Sequence, residues 1–308
     1  MKNILISMLL FFSSEKLWSQ SVSDPYVVVL GVAQDGGYPH IGCQKQCCDR
    51  VWENDSLGRS VVSLGVADPE NKKWYLLEAT PDITEQLELF QQLTKSQFNF
   101  LPDGIFITHA HIGHYTGLMY LGREAMSTRG VQVYVLPRMK TYLENNGPWS
   151  QLVTLHNIQL NQLKEDRAIR LTPNVSIKAF RVPHRDEYSE TAGFKVITKS
   201  KKYLFIPDID KWQKWDRNIV EEVKQVDFAF LDATFYSADE LPGRTMADVP
   251  HPLVSETMEL FGNESNETKK KILFIHFNHT NPLLWDAETE NKVHASSFGV
   301  AKQGSVVR

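Results

Sequence analysis

Cysteine is scarce in this chain: there are three in 308 residues, all in the stretch GCQKQCCD as Cys43, Cys47 and Cys48. An odd number in one short cluster excludes a disulfide framework as the device that holds the fold. It leaves three readings: a small structural zinc site with a fourth ligand such as His40, a Cys43–Cys47 bridge in an oxidising compartment, or plain thiols in a loop. Long basic runs are missing too. With a net charge of −4 and a pI near 6.2, the chain has no electrostatic footprint for nucleic acid. Apolar runs are short as well. The N-terminal one, Ile4–Phe12, has nine apolar or small residues, against the roughly 20 that a membrane-spanning helix needs.

That run follows Lys2 and precedes small polar residues at Ser19–Ser21, the pattern of a secretory signal peptide. The expectation is a leader over residues 1–20, one domain over 21–308, a periplasmic or secreted address and no stable membrane anchor. A buried N-terminal strand or helix is the alternative. The expected partner is a small-molecule substrate, and nothing in the sequence speaks to oligomeric state.

The 42% hydrophobic fraction is enough to bury a core. YVVVLG, RSVVSLGVAD and KWYLLEATPD read as strands, the last two as a hairpin. ITEQLELFQQL has Ile83, Leu87 and Phe90 at helical spacing. DGIFITHAH predicts a strand that delivers histidines, TGLMYLGREAM a helix and VQVYVLP a strand. The second half repeats this grammar. VSIKAFRVPH ends in His184, a hairpin through Lys199–Lys202 ends in Asp208, VDFAFLDATF carries Asp232, LVSETMELFG predicts a helix, and KKILFIHFNHTNP carries His276. FGVAKQGSVV closes the chain as a short hairpin. The organisation is two similar β-rich halves with helices outside, in a single domain.

Strand after strand thus ends in His or Asp, which is how a rigid scaffold assembles one site from distant sequence. THAHIGH concentrates His109, His111 and His114 in six residues. On a continuing strand, i and i+2 share a face, so His109 and His111 can grip one ion while His114 approaches after the turn. Neutral imidazole suits zinc, and His/Asp ligation alone leaves iron and manganese open.

THAHIGH resembles the H-x-H-x-D-H signature of the metallo-β-lactamase superfamily. VPHRDEYSETAGFKV, LFIPDID and ILFIHFN follow in that family's order, so the likeness runs over about residues 26–305. LGVAQDGGYPHIGC, LLEATPDITEQL and FIHFNHTNPLL resemble the branch named for PqqB, associated with pyrroloquinoline quinone biosynthesis. The resemblance implies an αββα sandwich with one or two metal ions at an edge of the sheets. His109, His111 and His184 would form the first site; His114 and His276 belong to the second, with Asp208 bridging. The signature's aspartate is here Gly113. The second site therefore lacks a carboxylate and a group that orients the attacking water. Either one ion is held tightly and a second weakly, or another residue completes the site, with Asp186, Asp210 and His279 as candidates.

Such a centre implies metal-activated water attacking an ester, lactone or phosphodiester. Asp208 would position that water, and His251 in DVPHPLVSE would protonate the leaving group. Asp232 would hold a ligand or His251 from behind. Asp35, before Gly-Gly, reads first as a turn residue and Asp82 as an N-cap, although both could lie near the metal edge. Tyr115 would line the pocket or simply pack. Three other readings stand beside the exported hydrolase: a PqqB-like iron-dependent oxidative enzyme acting on a peptide or amino acid, a β-lactamase, and a metal-binding protein without catalysis.

Overall fold

β-Branched and aromatic runs form the strands, because such side chains pack well on a pleated surface. The computed structural model describes residues 24–245 and 248–308; the expected leader, residues 1–20, lies outside them. In chain order the strands are β1 (Tyr26–Gly31), β2 (Ser63–Asp68), β3 (Lys73–Leu77), β4 (Gly104–Phe106), β5 (Val131–Val135), β6 (Ile158–Gln162) and β7 (Ala168–Arg170). They continue as β8 (Val175–Val182), β9 (Thr191–Thr198), β10 (Lys202–Ile206), β11 (Phe228–Asp232), β12 (Ile272–Ile275), β13 (Gly299–Val300) and β14 (Val306–Val307).

Two mixed sheets result, ordered β14-β1-β2-β3-β4-β5-β6 and β13-β12-β11-β10-β9-β8-β7. In the first, β1, β2 and β3 are antiparallel and β3 to β6 parallel. In the second, β8, β9 and β10 are antiparallel and β10 to β13 parallel. The same grammar is used twice, as the sequence suggests.

Alternation along the strands decides which faces meet. Val27, Val29, Val66, Tyr75 and Phe106 of the first sheet share a core with Ile177, Phe180, Phe194, Phe205 and Phe230 of the second. On the other face of the first sheet, Val28, Leu30, Leu76 and Ile105 pack with Ile83, Leu87 and Phe90 of the helix Ile83–Thr94. The helices Ile219–Lys224, Val254–Leu260 and Ala287–Ala295 add Val223, Val254 and Val293 around the second sheet. The architecture is the expected αββα sandwich in a single domain.

Several local expectations change. β4 stops at Phe106, so the histidines ride on the segment after the strand. Of the helix expected over TGLMYLGREAM only Thr116–Leu121 is helical, as a 3-10 helix, preceded by a four-residue α-helix, Ile112–Tyr115. The closing segment is not a hairpin: β13 pairs with β12 and β14 with β1, one in each sheet. Two-residue strands cannot stabilise each other, whereas each sheet edge offers unpaired backbone groups. Among the described residues, no helix is long and apolar enough to cross a membrane.

Candidate metal centre

The chain ends each of several strands at one edge of the sandwich and changes direction there. Glu78 follows β3 and His109 lies three residues past β4; His184 follows β8 by two, as Asp208 does β10. Asp232 closes β11 and His276 comes directly after β12. Glu78 and His276 both have positive φ, 77° and 69°. Non-glycine residues take that conformation when the surroundings impose it, and functional sites are where it clusters.

His109, His111, His184 and Asp208 bring one ligand atom each within 4.8 Å of one another. Asp208 Oδ2 lies 3.4 Å from His109 Nε2, 3.2 Å from His184 Nε2 and 4.0 Å from His111 Nδ1. It also lies 3.7 Å from His114 Nε2, which puts it between two groups of ligands, as expected of a bridge. The second group is Asp35, His114 and His276. Asp35 Oδ1 stands 3.1 Å from His114 Nε2 and 4.0 Å from His276 Nε2. Asp35 is therefore part of the site, although its place before Gly36-Gly37 also makes it the turn residue that its sequence suggests.

His114 Nε2, His184 Nε2, His276 Nε2, Asp35 Oδ1 and Asp208 Oδ1 are all buried and accept or donate no hydrogen bond among the described residues. A buried polar atom left unpaired costs about 1–3 kcal/mol. Five such atoms converging on one edge fit divalent ions, and the nitrogen and oxygen donors suit zinc, iron or manganese.

Partners behind the ligands set which nitrogen points inward. Thr108 Oγ1 meets His109 Nδ1 at 2.9 Å and Thr234 Oγ1 meets His276 Nδ1 at 2.8 Å, so both rings present Nε2. Glu78 Oε1 is 3.6 Å from His114 Nδ1. Carboxylates and hydroxyls in this position orient a ligand and raise its basicity. Glu78 was not singled out from the sequence; its signal was an acidic residue closing an apolar strand. Burial pushes its carboxyl up, and the nearby His114 only partly offsets this.

Charges balance accordingly when no ion is bound. Burial and the proximity of His114 hold His109 well below the ordinary imidazole range. For His114, burial would lower the value, but Glu78 and Asp35 outweigh it and hold the imidazole well up. Burial would raise the Asp35 carboxyl, yet His114 and His276 hold it far down.

His251 is buried beside the bridge. Its Nδ1 lies 2.9 Å from Asp232 Oδ2 and 3.1 Å from Asp208 Oδ1. Asp232 is fully occupied: Oδ2 also accepts from the Ile209 N–H, and Oδ1 accepts from the N–H and hydroxyl of Thr234. A carboxylate has about four lone-pair sites, so Asp232 has none left for an ion and positions His251 instead. Burial would lower the His251 imidazole, but Asp232 and then Asp208 hold it up at about 10.

The other candidates lie elsewhere. Asp186 bonds Thr191, and its backbone carbonyl accepts from Arg138; Asp210 pairs with Lys214. Asp82 sits at the N-cap position of the helix Ile83–Thr94 without capping it, because its Oδ2 accepts from the Val61 N–H across the sheet edge. Tyr115 packs, with its hydroxyl 3.0 Å from that of Tyr142. A cleft of about 350 Å³ lined by Arg138, Tyr142, Asn145, Glu187 and Tyr188 opens next to the ligands, with Glu187 Oε2 3.3 Å from His111 Nε2.

His279 belongs to a different group. It gathers with Cys43, Cys47 and Cys48 within 4.8 Å, while the His40 ring lies tilted against it at 4.4 Å between ring centroids. The cysteines are free thiols. Cys47 and Cys48 enter from the helix Gln46–Glu53, and the Tyr38 hydroxyl donates to the Cys47 carbonyl at 2.6 Å. Burial, with His40 and Lys45 nearby, pushes His279 down to about 4, so it is the neutral imidazole that a ligand must be. The fourth member is thus His279, not His40.

The model of the beta-lactamase superfamily domain matches residues 73–277. Coenzyme PQQ synthesis protein B of Methylorubrum extorquens (strain PA1) is 24% identical over 91% of this chain and 98% of its own. Among solved structures, Zn(2+)-bound PqqB from Methylobacterium extorquens is similar with a TM-score of 0.73, at 21% identity over 92% of this chain and 99% of that one. A diphosphatase from the PhnP family follows with a TM-score of 0.65, at 21% identity over 92% and 96%. At these identities the structural likeness concerns the fold.

Proposed function

The chain belongs to the beta-lactamase superfamily, with the metallo-β-lactamase fold and in the PqqB-like branch, and from that premise we propose that it is a PqqB-like metal-dependent enzyme acting on a peptide or amino acid. The observation that carries a metal-dependent role is the convergence of buried, unpartnered His and Asp atoms on one edge. The oxidative reading is supported by likeness to PQQ synthesis proteins over nearly their full length. Bound at this edge, iron would supply chemistry with dioxygen, whereas zinc would act as a Lewis acid toward water and substrate.

The chain's own residues do the rest. Thr108, Thr234 and Glu78 keep the ligand rings in register. Asp208 Oδ2 draws the two ligand groups together, and His251, held protonated by Asp232, can give a proton to a group leaving the substrate. Arg138, Tyr142 and Tyr188 line a cleft suited to a carboxylate and an aromatic or amide face.

His251 also favours a second reading, hydrolysis of a small ester, lactone or phosphodiester, for which a buried acid beside the ions is the natural leaving-group donor. Product analysis with iron- and zinc-loaded protein, with and without dioxygen, separates the two. Oxidised amino acid or peptide with dioxygen consumed supports the first reading. Zinc-supported cleavage of an ester or bis-(p-nitrophenyl) phosphate without dioxygen moves the second ahead. No turnover with any of these would sink both.

We further infer that Cys43, Cys47, Cys48 and His279 hold a structural zinc ion, a soft thiolate–imidazole set of the structural kind. Cys48→Ser is then expected to release one ion per chain and to lower the melting temperature by several degrees. The measurement is elemental analysis beside thermal melting, and an unchanged metal content would refute the assignment.

A further inference from the structure

We propose that this chain has moved the carboxylate of its second metal position from the histidine motif to the β1 loop, so that Asp35 supplies what Gly113 lacks. The proposal rests on the reading of the edge as a two-ion centre and adds which residue completes it. Gly113 stands where the superfamily's signature carries aspartate. A Cβ built on Gly113 would overlap Asp35 Oδ1 and lie 2.6 Å from its Cα and 3.0 Å from its Cγ. Real Cβ atoms do not come that close to a backbone atom. Asp35 therefore occupies the space that a motif side chain would need, and the two positions exclude each other.

Asp35 also aims correctly. Its Oδ1 is buried, has no hydrogen-bond partner among the described residues, and faces His114 Nε2 at 3.1 Å and His276 Nε2 at 4.0 Å, two atoms that are themselves unpartnered. An ion pair with His114 alone would leave His276 Nε2 without a purpose. The loop is held firmly: the Gln34 N–H donates to the Phe277 carbonyl at 2.8 Å, and the Phe277 N–H donates to the Val32 carbonyl at 2.8 Å. Ala33 thus bridges to the residue after His276. Asp35 and His276 are set by the same short piece of sheet, which fixes their separation. The turn then closes through Gly37, whose φ is +69° and whose N–H donates to the Gln34 carbonyl at 2.7 Å.

The exchange makes three variants informative. Asp35→Asn keeps the size and loses the charge. Gly113→Asp alone forces two side chains into one space. The double variant Asp35→Gly/Gly113→Asp restores the carboxylate from the motif side and removes the side-chain overlap, leaving the 2.6 Å approach to the Cα of residue 35 for the loop to absorb. Purified full-length protein is titrated with Zn2+ and bound metal counted by elemental analysis; Co2+-loaded samples are examined by electron paramagnetic resonance for a coupled ion pair.

The expected result is that Asp35→Asn holds one ion per chain fewer than wild type, its second centre ion weakened by about 100-fold or more. The coupled signal is then absent, and both return in the double variant. Asp35→Asn that keeps the wild-type ion count and coupling overturns the proposal and leaves Asp35 as a counter-ion of His114. Loss of every ion from the centre overturns it too, since Asp35 would then be a pillar of the whole edge. A double variant that folds yet stays one ion short overturns the exchange; if it does not fold, Asp35→Asn decides. Turnover is not read, so failure to find a substrate counts against the proposed function and leaves this result untouched.

Discussion

Asp208→Ala is expected to strip both metal positions and to lower turnover by at least about 100-fold, the upper end of what removing even an outer partner of a metal ligand costs. Asp208 Oδ2 is within 4.0 Å of a nitrogen on each of His109, His111, His114 and His184. Without it the first position retains three imidazoles and no anionic oxygen, so the attraction for a dication falls sharply. The variant also uncouples stability from metal. An ion present at 100 times its dissociation constant stabilises a folded protein by about 2.7 kcal/mol, and that gain should disappear. The measurement is bound metal per chain together with melting in the presence and absence of Zn2+. A variant that keeps the wild-type ion count and the metal-dependent rise in melting temperature would remove Asp208 from the bridge.

His251→Gln should separate chemistry from metal binding: turnover falls by about 100- to 10,000-fold while the ions stay bound. His251 reaches Asp232 and Asp208 by Nδ1 and belongs to the proton-handling side of the site. The same pair predicts a pH dependence in metal-free protein. The His251 imidazole is raised from its ordinary 6.5 to about 10 despite burial, because Asp232 and Asp208 favour the cation. A raised value means that the pair contributes its full stability below pH 6.5 and loses it as pH climbs through about 10. Wild type should therefore lose stability more steeply than His251→Gln between those limits, as read by denaturant unfolding at several pH values. Parallel curves would show that His251 is neutral in the folded protein, and a variant that loses its ions would make His251 a ligand.

His251 illustrates how far the sequence reaches. Its place just before a helix reads equally as a helix-start residue; the likeness to the superfamily's phosphodiesterases nominates it as an acid with Asp232 as its support, and the way β11 ends beneath it brings the two to 2.9 Å. The loop after β11 must fold back for the two to meet, and no local pattern encodes that approach. Asp82 shows the opposite failure: its place before a helix is an N-cap signal, yet a backbone N–H at Val61 competes successfully for its carboxylate.

The candidate ligands were legible because residue type and local period suffice to nominate them. Apolar runs that bury both faces make strands, and a His or Asp just past the last apolar residue is carried to the sheet edge wherever that strand docks. His109, His111, His114, His184, Asp208 and His276 were all readable in this way as candidate ligands, as were two similar β-rich halves with helices outside; the αββα sandwich itself came from the resemblance to the superfamily. Tertiary structure alone decided which loop completes each group. Asp35 joins His114 and His276 because Ala33 bridges to Phe277, and His279 gathers with three cysteines, two of them carried by the helix Gln46–Glu53. Glu78 reaches His114 from the end of another strand. Each of these depends on two segments remote in sequence meeting within about one side chain's length. Such meetings are governed by sheet pairing and packing across the whole domain, so the residues at either end carry no trace of them.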